Sequence, residues 1–590
     1  MCGIMGYIGP KNVENELIKG LKKLEYRGYD SSGIALLSNN KPQIIKSIGK
    51  IKTLEDKVKS KKIIKCNKGI AHTRWATHGK VNTNNAHPHR IGNVTLVHNG
   101  IIENYKELKK ELENDGIKFK SDTDTEVVCA LINKFLDYKN IINSIEKALS
   151  KVKGTYALVI LFDKDDSIYA TCKDAPLVVG VNEDEFYISS DINAIDSKRY
   201  FYPDNFEIVK ISNELKVYKD KKIINKKLNI NTNNYINNDK GKYKHFMLKE
   251  IMEQDEVVNN IINRYINKEI NFPDIEKYEN IHIVGCGSAL YAGCIGEELL
   301  IEKANINVNT YIASEYRYKN IKLDKKTLVI LISQSGETAD TIAALKKAKS
   351  KSIDTLALVN VAQSTIYRES KYKILLECGS EVAVATTKAY LAQATILSLL
   401  ALKTSYDKKL ITNNEYNNII KEFKTIPKKL NKILNNNSLY KKIAKIIYKE
   451  NNIYFIGRKI DFAMCLEGSL KLKEVSYIHS EAYQSGELKH GTISLIDKNS
   501  YLFSIITDSS IYDKSMSNLE EVKSRGGKII LITNKLNNKF KYEINVDKLS
   551  IFTQFILVVP ILQQIAYNTA CLKKNDVDKP KNLAKSVTVE

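Results

Sequence analysis

Asn280-Ile281-His282-Ile283-Val284-Gly285 and Asn452-Ile453-Tyr454-Phe455-Ile456-Gly457 share one pattern, an apolar run of strand length closed by glycine. Each opens a segment with helical spacing, ending at Glu302 and at Glu474, with Gly296 and Gly468 in register. The next apolar runs correspond too: Leu328-Val329-Ile330-Leu331-Ile332-Ser333 leads to Asn360 as Leu502-Phe503-Ser504-Ile505-Ile506-Thr507 leads to Asn534. Such self-similarity marks an internal duplication. Continuous apolar strands, each followed by a helix, belong to parallel sheets covered on both faces, so two α/β doubly wound subdomains are expected, 245–420 and 421–575. Ile419, Phe423, Leu430 and Leu434 mark connecting helices, with a break expected at Pro427.

Upstream the texture differs. From 1 to 225 short apolar strands dominate, among them Ile34 to Leu37, Val94 to Val97 and Tyr156 to Phe162. Helices are few: one on Val13, Leu17, Leu21 and Leu24, one after Asn104, and one carrying Val127, Leu131 and Phe135. Many strands with few helices predict an α+β sandwich. The Lys/Asn-rich stretch 226–244 has little apolar periodicity and reads as a linker.

The 590 residues carry a formal charge of +23, mostly lysine spread along the chain. A nucleic-acid footprint would gather Arg, Lys and aromatics on one element, so no nucleic acid is expected. The excess charge suits small anionic substrates instead. The longest near-apolar run, Ile551 to Tyr567, is interrupted by Gln554, Pro560, Gln563 and Gln564 and reads as a buried helix, not a membrane span. With no signal-like N-terminus and nine cysteines free of any CxxC pair, a cytoplasmic location is expected.

Cys2 directly follows Met1 in Met1-Cys2-Gly3-Ile4, so removal of Met1 leaves a thiol and an α-amine on one residue. That amine titrates near the thiol and can take its proton, directly or through a water. A buried, inert thiol is the plain alternative. Arg74, beside the only tryptophan in His72-Thr73-Arg74-Trp75-Ala76-Thr77-His78-Gly79, can grip a carboxylate or make an ordinary ion pair. Val97-His98-Asn99-Gly100 reads first as a hairpin turn. In the functional version, the Asn99 amide and Gly100 N–H face a developing oxyanion. Within Ser121-Asp122-Thr123-Asp124-Thr125-Glu126, an acid can cap the following helix, or Asp124 can hold an ammonium. Five histidines fall between His72 and His98, but their spacing follows no metal-binding pattern.

In the second half, Ser333-Gln334-Ser335-Gly336-Glu337-Thr338 follows a strand and opens a helix, which suits a phosphate equally with simple capping by Ser335. Lys471-Leu472-Lys473-Glu474 and Glu487-Leu488-Lys489-His490 bring a carboxylate and an imidazole suited to proton transfer, although charged runs usually face solvent. The tail 576–590 carries Lys585 and would reach a site only by folding back.

Together, the Cys2, Arg74–Gly79, His98–Asn104 and Thr123–Glu126 strings, with Leu24-Glu25-Tyr26-Arg27-Gly28-Tyr29-Asp30-Ser31, resemble the glutaminase domain of N-terminal-nucleophile amidotransferases. Ser333–Thr338 and the tail Leu583-Ala584-Lys585-Ser586-Val587-Thr588-Val589-Glu590 extend that resemblance, over the whole chain, to the isomerizing glutamine:fructose-6-phosphate aminotransferases. The resemblance implies that Cys2 forms a glutamyl thioester, that Arg74 and Asp124 hold glutamine, that Asn99 and Gly100 form the oxyanion hole, and that Trp75, Thr77 and His78 lie on a covering loop. It places the phosphate of fructose 6-phosphate on Ser333, Gln334, Ser335 and Thr338, with Ser288, Thr386, Lys471 and Ala584 in the sugar site. Lys585 would form a Schiff base at C2, Glu474 would move a proton from C1 to C2, and internally routed ammonia, gated by Trp75, would displace Lys585. His490 would come from the neighbouring subunit of a homodimer. The product, glucosamine 6-phosphate, begins hexosamine biosynthesis, and no cofactor or metal is implied.

Ala289 stands where the family pattern has a hydroxyl, and Thr386 where it has serine, so contacts at the sugar are open at those positions. A phosphosugar-binding regulator is the alternative from another class, but it has no use for Cys2, Glu474 and Lys585 together. An amidotransferase with a different acceptor is the alternative among enzymes.

Overall fold

The computed structural model describes residues 2–38, 41–75, 79–231, 239–536 and 538–587, and divides into two compact units, Met1–Asn237 with Ser586–Glu590, and Asn238–Lys585.

The first unit holds an eight-stranded and a seven-stranded sheet, antiparallel throughout. Strand Gly3–Ile8 lies inside the larger sheet, between Lys68–Arg74 and Phe186–Ser189. Its alternation assigns each face a core. Ile4 and Ile8 join Val97, Ala157 and Val159 in the layer between the sheets, while Met5 and Tyr7 join Leu17 and Leu21 of helix Val13–Leu24. On the far side, Leu96, Leu158 and Ile160 pack with Val128 and Leu131 of helix Asp124–Lys134. Helix, sheet, sheet and helix form four layers, which is why both faces of these antiparallel strands are apolar. The larger sheet also takes in Asn229–Ile230, beyond the composition break at 225, because its backbone pairs with Arg199 and Tyr200 although both its side chains are exposed.

The second unit contains two five-stranded parallel sheets with one strand order, 2-1-3-4-5 in each repeat. Side chains alternate between a shared core and a satellite core. Ile281, Ile283, Ile453 and Phe455 enter the shared core, Val284 one satellite and Ile456 the other. Helices Lys388–Asp407 and Gln554–Leu572 are buried on all sides in the shared core. Gln554–Leu572 alone among the described residues is long and apolar enough to cross a membrane, and 89% of its most apolar window is buried within the protein.

Two expectations about local structure are corrected. Helix Asn413–Asn435 runs through Pro427 without ending, because Phe423, Ile426, Leu430 and Leu434 keep one face buried on both sides of the proline. That burial outweighs one lost hydrogen bond. No turn interrupts Asn99-Gly100 either. Strand Val94–Ile102 continues through both, pairing Asn99 with Ala157 and Gly100 with Tyr156.

Candidate functional site

Antiparallel register brings Cys2 to its neighbours. Gly3 pairs with Thr73, so the residue before Gly3 meets the residues after Thr73, where Arg74 and Trp75 stand. The Trp75 N–H donates to Cys2 Sγ at 3.3 Å. From the other sheet, Asn99 Nδ2 donates to the Cys2 carbonyl at 3.1 Å. Gly100 has φ +137°, and a β-carbon there would lie 2.1 Å from the Thr155 carbonyl oxygen, so no larger residue fits. A small pocket is lined by Cys2, Arg74, His98, Gly100, Thr123 and Asp124 among others.

Burial pushes the Cys2 thiol above its ordinary range, while the Trp75 N–H and Arg74 pull it back. Arg74 is itself 3% exposed. Asp124 is the first residue of its helix, and its Oδ2 accepts from Ile102 N at 2.9 Å. The cap is Thr123, which accepts from Glu126 N, rather than an acid, leaving Asp124 to line the pocket. Thr77 and His78 lie outside the described residues. Trp75 packs edge-on against Tyr29, ring centroids 5.8 Å apart.

The second unit assembles a different set. In the first repeat, strands Asn280–Gly285 and Thr327–Ser333 are neighbours whose connections leave in opposite directions, the switch point at which open α/β sheets bind ligands. Ser288 starts the helix after the first strand, and Ser333–Thr338 follows the second. Ser333 Oγ lies 2.9 Å from Thr338 Oγ1 and accepts from Gly336 N, while Ser335 Oγ accepts from Glu337 N. Ser335 does not cap the helix; Thr338 holds the cap position of Ala339–Ser350, and its side chain makes no capping hydrogen bond to the helix, its hydroxyl pairing with Ser333 instead. Asn360 N donates to the Gln334 carbonyl and Asn360 Nδ2 to the Gly379 carbonyl, joining this loop to the segment carrying Glu381 and Thr386.

Helix Ile460–Ser476 of the second repeat supplies Glu467, Lys471 and Glu474 at spacings of four and three, one face of a helix. That face is not solvated, contrary to the expectation for a charged run: Glu467 and Lys471 are fully buried. Lys471 Nζ lies 2.5 Å from Glu474 and 3.6 Å from Glu467, and Ser288 Oγ donates to Glu467 at 3.2 Å. Burial raises the Glu467 carboxyl to about 8.

The tail folds onto this unit, with Val384 N donating to the Asp578 carbonyl and Lys581 N to Tyr477 Oη. Ala584 is half-buried there. Lys585 Nζ forms an ion pair with Glu381 and donates to Thr386 Oγ1 at 3.3 Å. Burial opposes the Glu381 charge, but Lys585 and the N–H groups of Ala389 and Thr387 hold its pKa below the usual range. Behind it, Glu250 accepts from Val382 and Ala383 N–H, and burial raises its carboxyl to about 8. His490 ends the exposed turn Glu487–His490, with no hydrogen bond to Lys585 or Glu474 among the described residues.

Glu467, Glu381 and Glu250 escape sequence reading. Glu467 carried a signal, its helical spacing to Lys471 and Glu474; Glu381 and Glu250 sit in no periodic or motif context.

An N-terminal cysteine pocket on a four-layer sandwich, joined to a doubled switch-point α/β unit, defines a glutamine amidotransferase fused to sugar-isomerase (SIS) domains. The family model described as a glutamine amidotransferase domain matches residues 72–197, and that of the SIS domain matches 274–403 and 446–543. The chain belongs to the isomerizing glutamine–fructose-6-phosphate aminotransferases: it is 42% identical to the Clostridium tetani protein of that name and 38% to that of Bradyrhizobium diazoefficiens, over all of each chain. Among solved structures, the C-terminal domain of glucosamine-fructose-6-phosphate aminotransferase from Francisella tularensis matches at 34% identity and a TM-score of 0.56, covering 58% of this chain and all of that one.

Proposed function

We propose that this chain converts fructose 6-phosphate and L-glutamine to glucosamine 6-phosphate and L-glutamate. Identity over the full length of both chains with enzymes of that name carries the reading. The grouping of Cys2 with Arg74 and Asp124 supports its first half.

In this reading the Cys2 thiolate attacks the side-chain amide carbon of glutamine. Arg74 holds the substrate carboxylate and Asp124 its ammonium, with Trp75, Thr77 and His78 over it. Asn99 Nδ2 and Gly100 N–H donate to the oxyanion. Ammonia leaves, and water hydrolyses the thioester to glutamate. In the second unit, the hydroxyls and N–H groups of Ser333, Gln334, Ser335 and Thr338 take the phosphate, and Ser288, Thr386 and Ala584 face the sugar. The Lys585 amine adds to C2 and water leaves, giving a Schiff base that ammonia then displaces. Glu474, held by Lys471, moves a proton from C1 to C2. His490, exposed in one chain, serves the site of a second copy and assists ring opening, which makes the working form a homodimer.

Purified protein given both substrates should form glucosamine 6-phosphate; absence of that product defeats the proposal. Cys2→Ala should abolish glutamine use and spare synthesis from free ammonia. Borohydride with fructose 6-phosphate should mark Lys585, and labelling of another lysine removes its assigned role.

A further inference from the structure

His72 lies in strand Lys68–Arg74 with no exposed surface. Its Nε2 is 3.0 Å from the His98 carbonyl oxygen and 3.1 Å from Asn99 Oδ1. A carbonyl only accepts, so Nε2 carries a hydrogen. Burial lowers the ring's pKa to about 3, with Arg74 and His98 adding repulsion, so the ring is neutral and that hydrogen is its only one. His87 lies against its face, ring centroids 4.0 Å apart.

One assigned hydrogen determines the next group. An N–H aimed at the Asn99 amide is matched by the amide oxygen and opposed by its NH2, and the two ends of an amide are otherwise nearly the same shape. With the oxygen turned to His72, the nitrogen points the other way, to within 3.1 Å of the Cys2 carbonyl. We propose that His72 is a positioning residue for glutamine hydrolysis, its Nε2–H holding the Asn99 amide with Nδ2 toward the reaction centre at Cys2. The inference rests on Asn99 acting as an oxyanion donor. A flipped amide would present oxygen to the developing negative charge.

The test compares His72→Phe, which keeps the ring and loses the donor, with His72→Gln, whose amide nitrogen reaches close to the Nε2 position. Losing an oxyanion donor costs about 10²–10³ in kcat, so H72F should lower kcat for glutamine hydrolysis about 10²-fold and leave KM for glutamine within about threefold. H72Q should recover to within about tenfold of the parent. Because both changes act on one group, H72F combined with Asn99→Ala should be no slower than Asn99→Ala alone. Alkylation of Cys2 by iodoacetamide, followed by peptide mapping, needs no oxyanion hole and should keep its rate in H72F. Equal losses in H72F and H72Q, multiplicative losses in the double variant, or a defect confined to KM would each overturn the proposal. Glutamine hydrolysis surviving Cys2→Ala would sink the underlying reading instead.

Discussion

At Lys459 the backbone takes φ +52° and ψ −129°, where Gly287 takes +56° and −129° at the matching position of the other repeat. Each precedes a helix of 17 residues that ends in the left-handed region, at Asn305 and Tyr477. Glycine occupies that conformation freely, whereas a side chain there costs about 1–3 kcal/mol. Lys459 gets little back, since it pairs with Glu302 at 2.7 Å and more loosely with Asp508 at 3.6 Å while its own side chain stays partly exposed, and such pairs contribute about 0–1 kcal/mol each. Lys459→Gly should therefore stabilise the second unit by about 1 kcal/mol in urea unfolding, after the entropy that glycine adds to the unfolded chain. Destabilisation would mean that the ion pairs outweigh the strain. Neither residue's conformation was legible beforehand, because φ belongs to the loop's path and the repeat alignment pairs glycine with lysine.

Among elements, the third strand of each repeat shows what pairing decides. Matching letters aligns Leu328 with Leu502. The ladders align Leu328 with Tyr501, since Leu328 opposes Ile281 and Tyr501 opposes Ile453. Leu328 and Tyr501 share the common core, while Leu502 faces a satellite core. A slip of one residue reverses a strand's faces, so letter matching misassigned every side chain of that strand. In the second repeat the loop after this strand closes on Asp461, whose carboxyl accepts from Thr507 N at 2.9 Å and from Asp508 N at 3.3 Å. Burial still raises it to about 7. An unfolded aspartate titrates near 3.9, so between about pH 4 and 7 the folded state keeps a proton that the unfolded state has lost. Stability then falls as pH rises through that window and levels off outside it. Asp461→Asn, which keeps an acceptor and cannot ionise, should gain on the parent across those pH values in urea melts. Parallel curves would refute this account.

At the scale of the whole molecule, the apolar clusters of the first unit reach Leu228 and those of the second begin at Phe246, so each unit is described by its own core. The exposed His490 and buried Lys585 of one chain belong, in the proposed homodimer, to different sites. Mixing inactive His490→Ala with inactive Lys585→Ala should then restore activity. Random exchange makes half the dimers mixed, each with one intact site of two, so about a quarter of the parent activity should return. No recovery after demonstrated subunit exchange would put both residues in one chain's site.

The sequence by itself determined the class of each half, because apolar periodicity and turn chemistry are local and survive without a partner. It also determined the candidates Cys2, from its place directly after Met1, and Arg74, Asp124 and Ser333–Thr338, since each of these stands at the end of a legible strand or the start of a legible helix. Only the tertiary structure decided which candidates meet. Strand register put Cys2 beside Trp75, the four-layer stack brought Asn99 across from the other sheet, and the folded tail paired Lys585 with Glu381. Of the buried carboxylates, Glu467 was legible only in its helical spacing to Lys471 and Glu474, while the partners that complete all three sites come from far along the chain: Ser288 for Glu467, Lys585 for Glu381, and Val382 and Ala383 for Glu250.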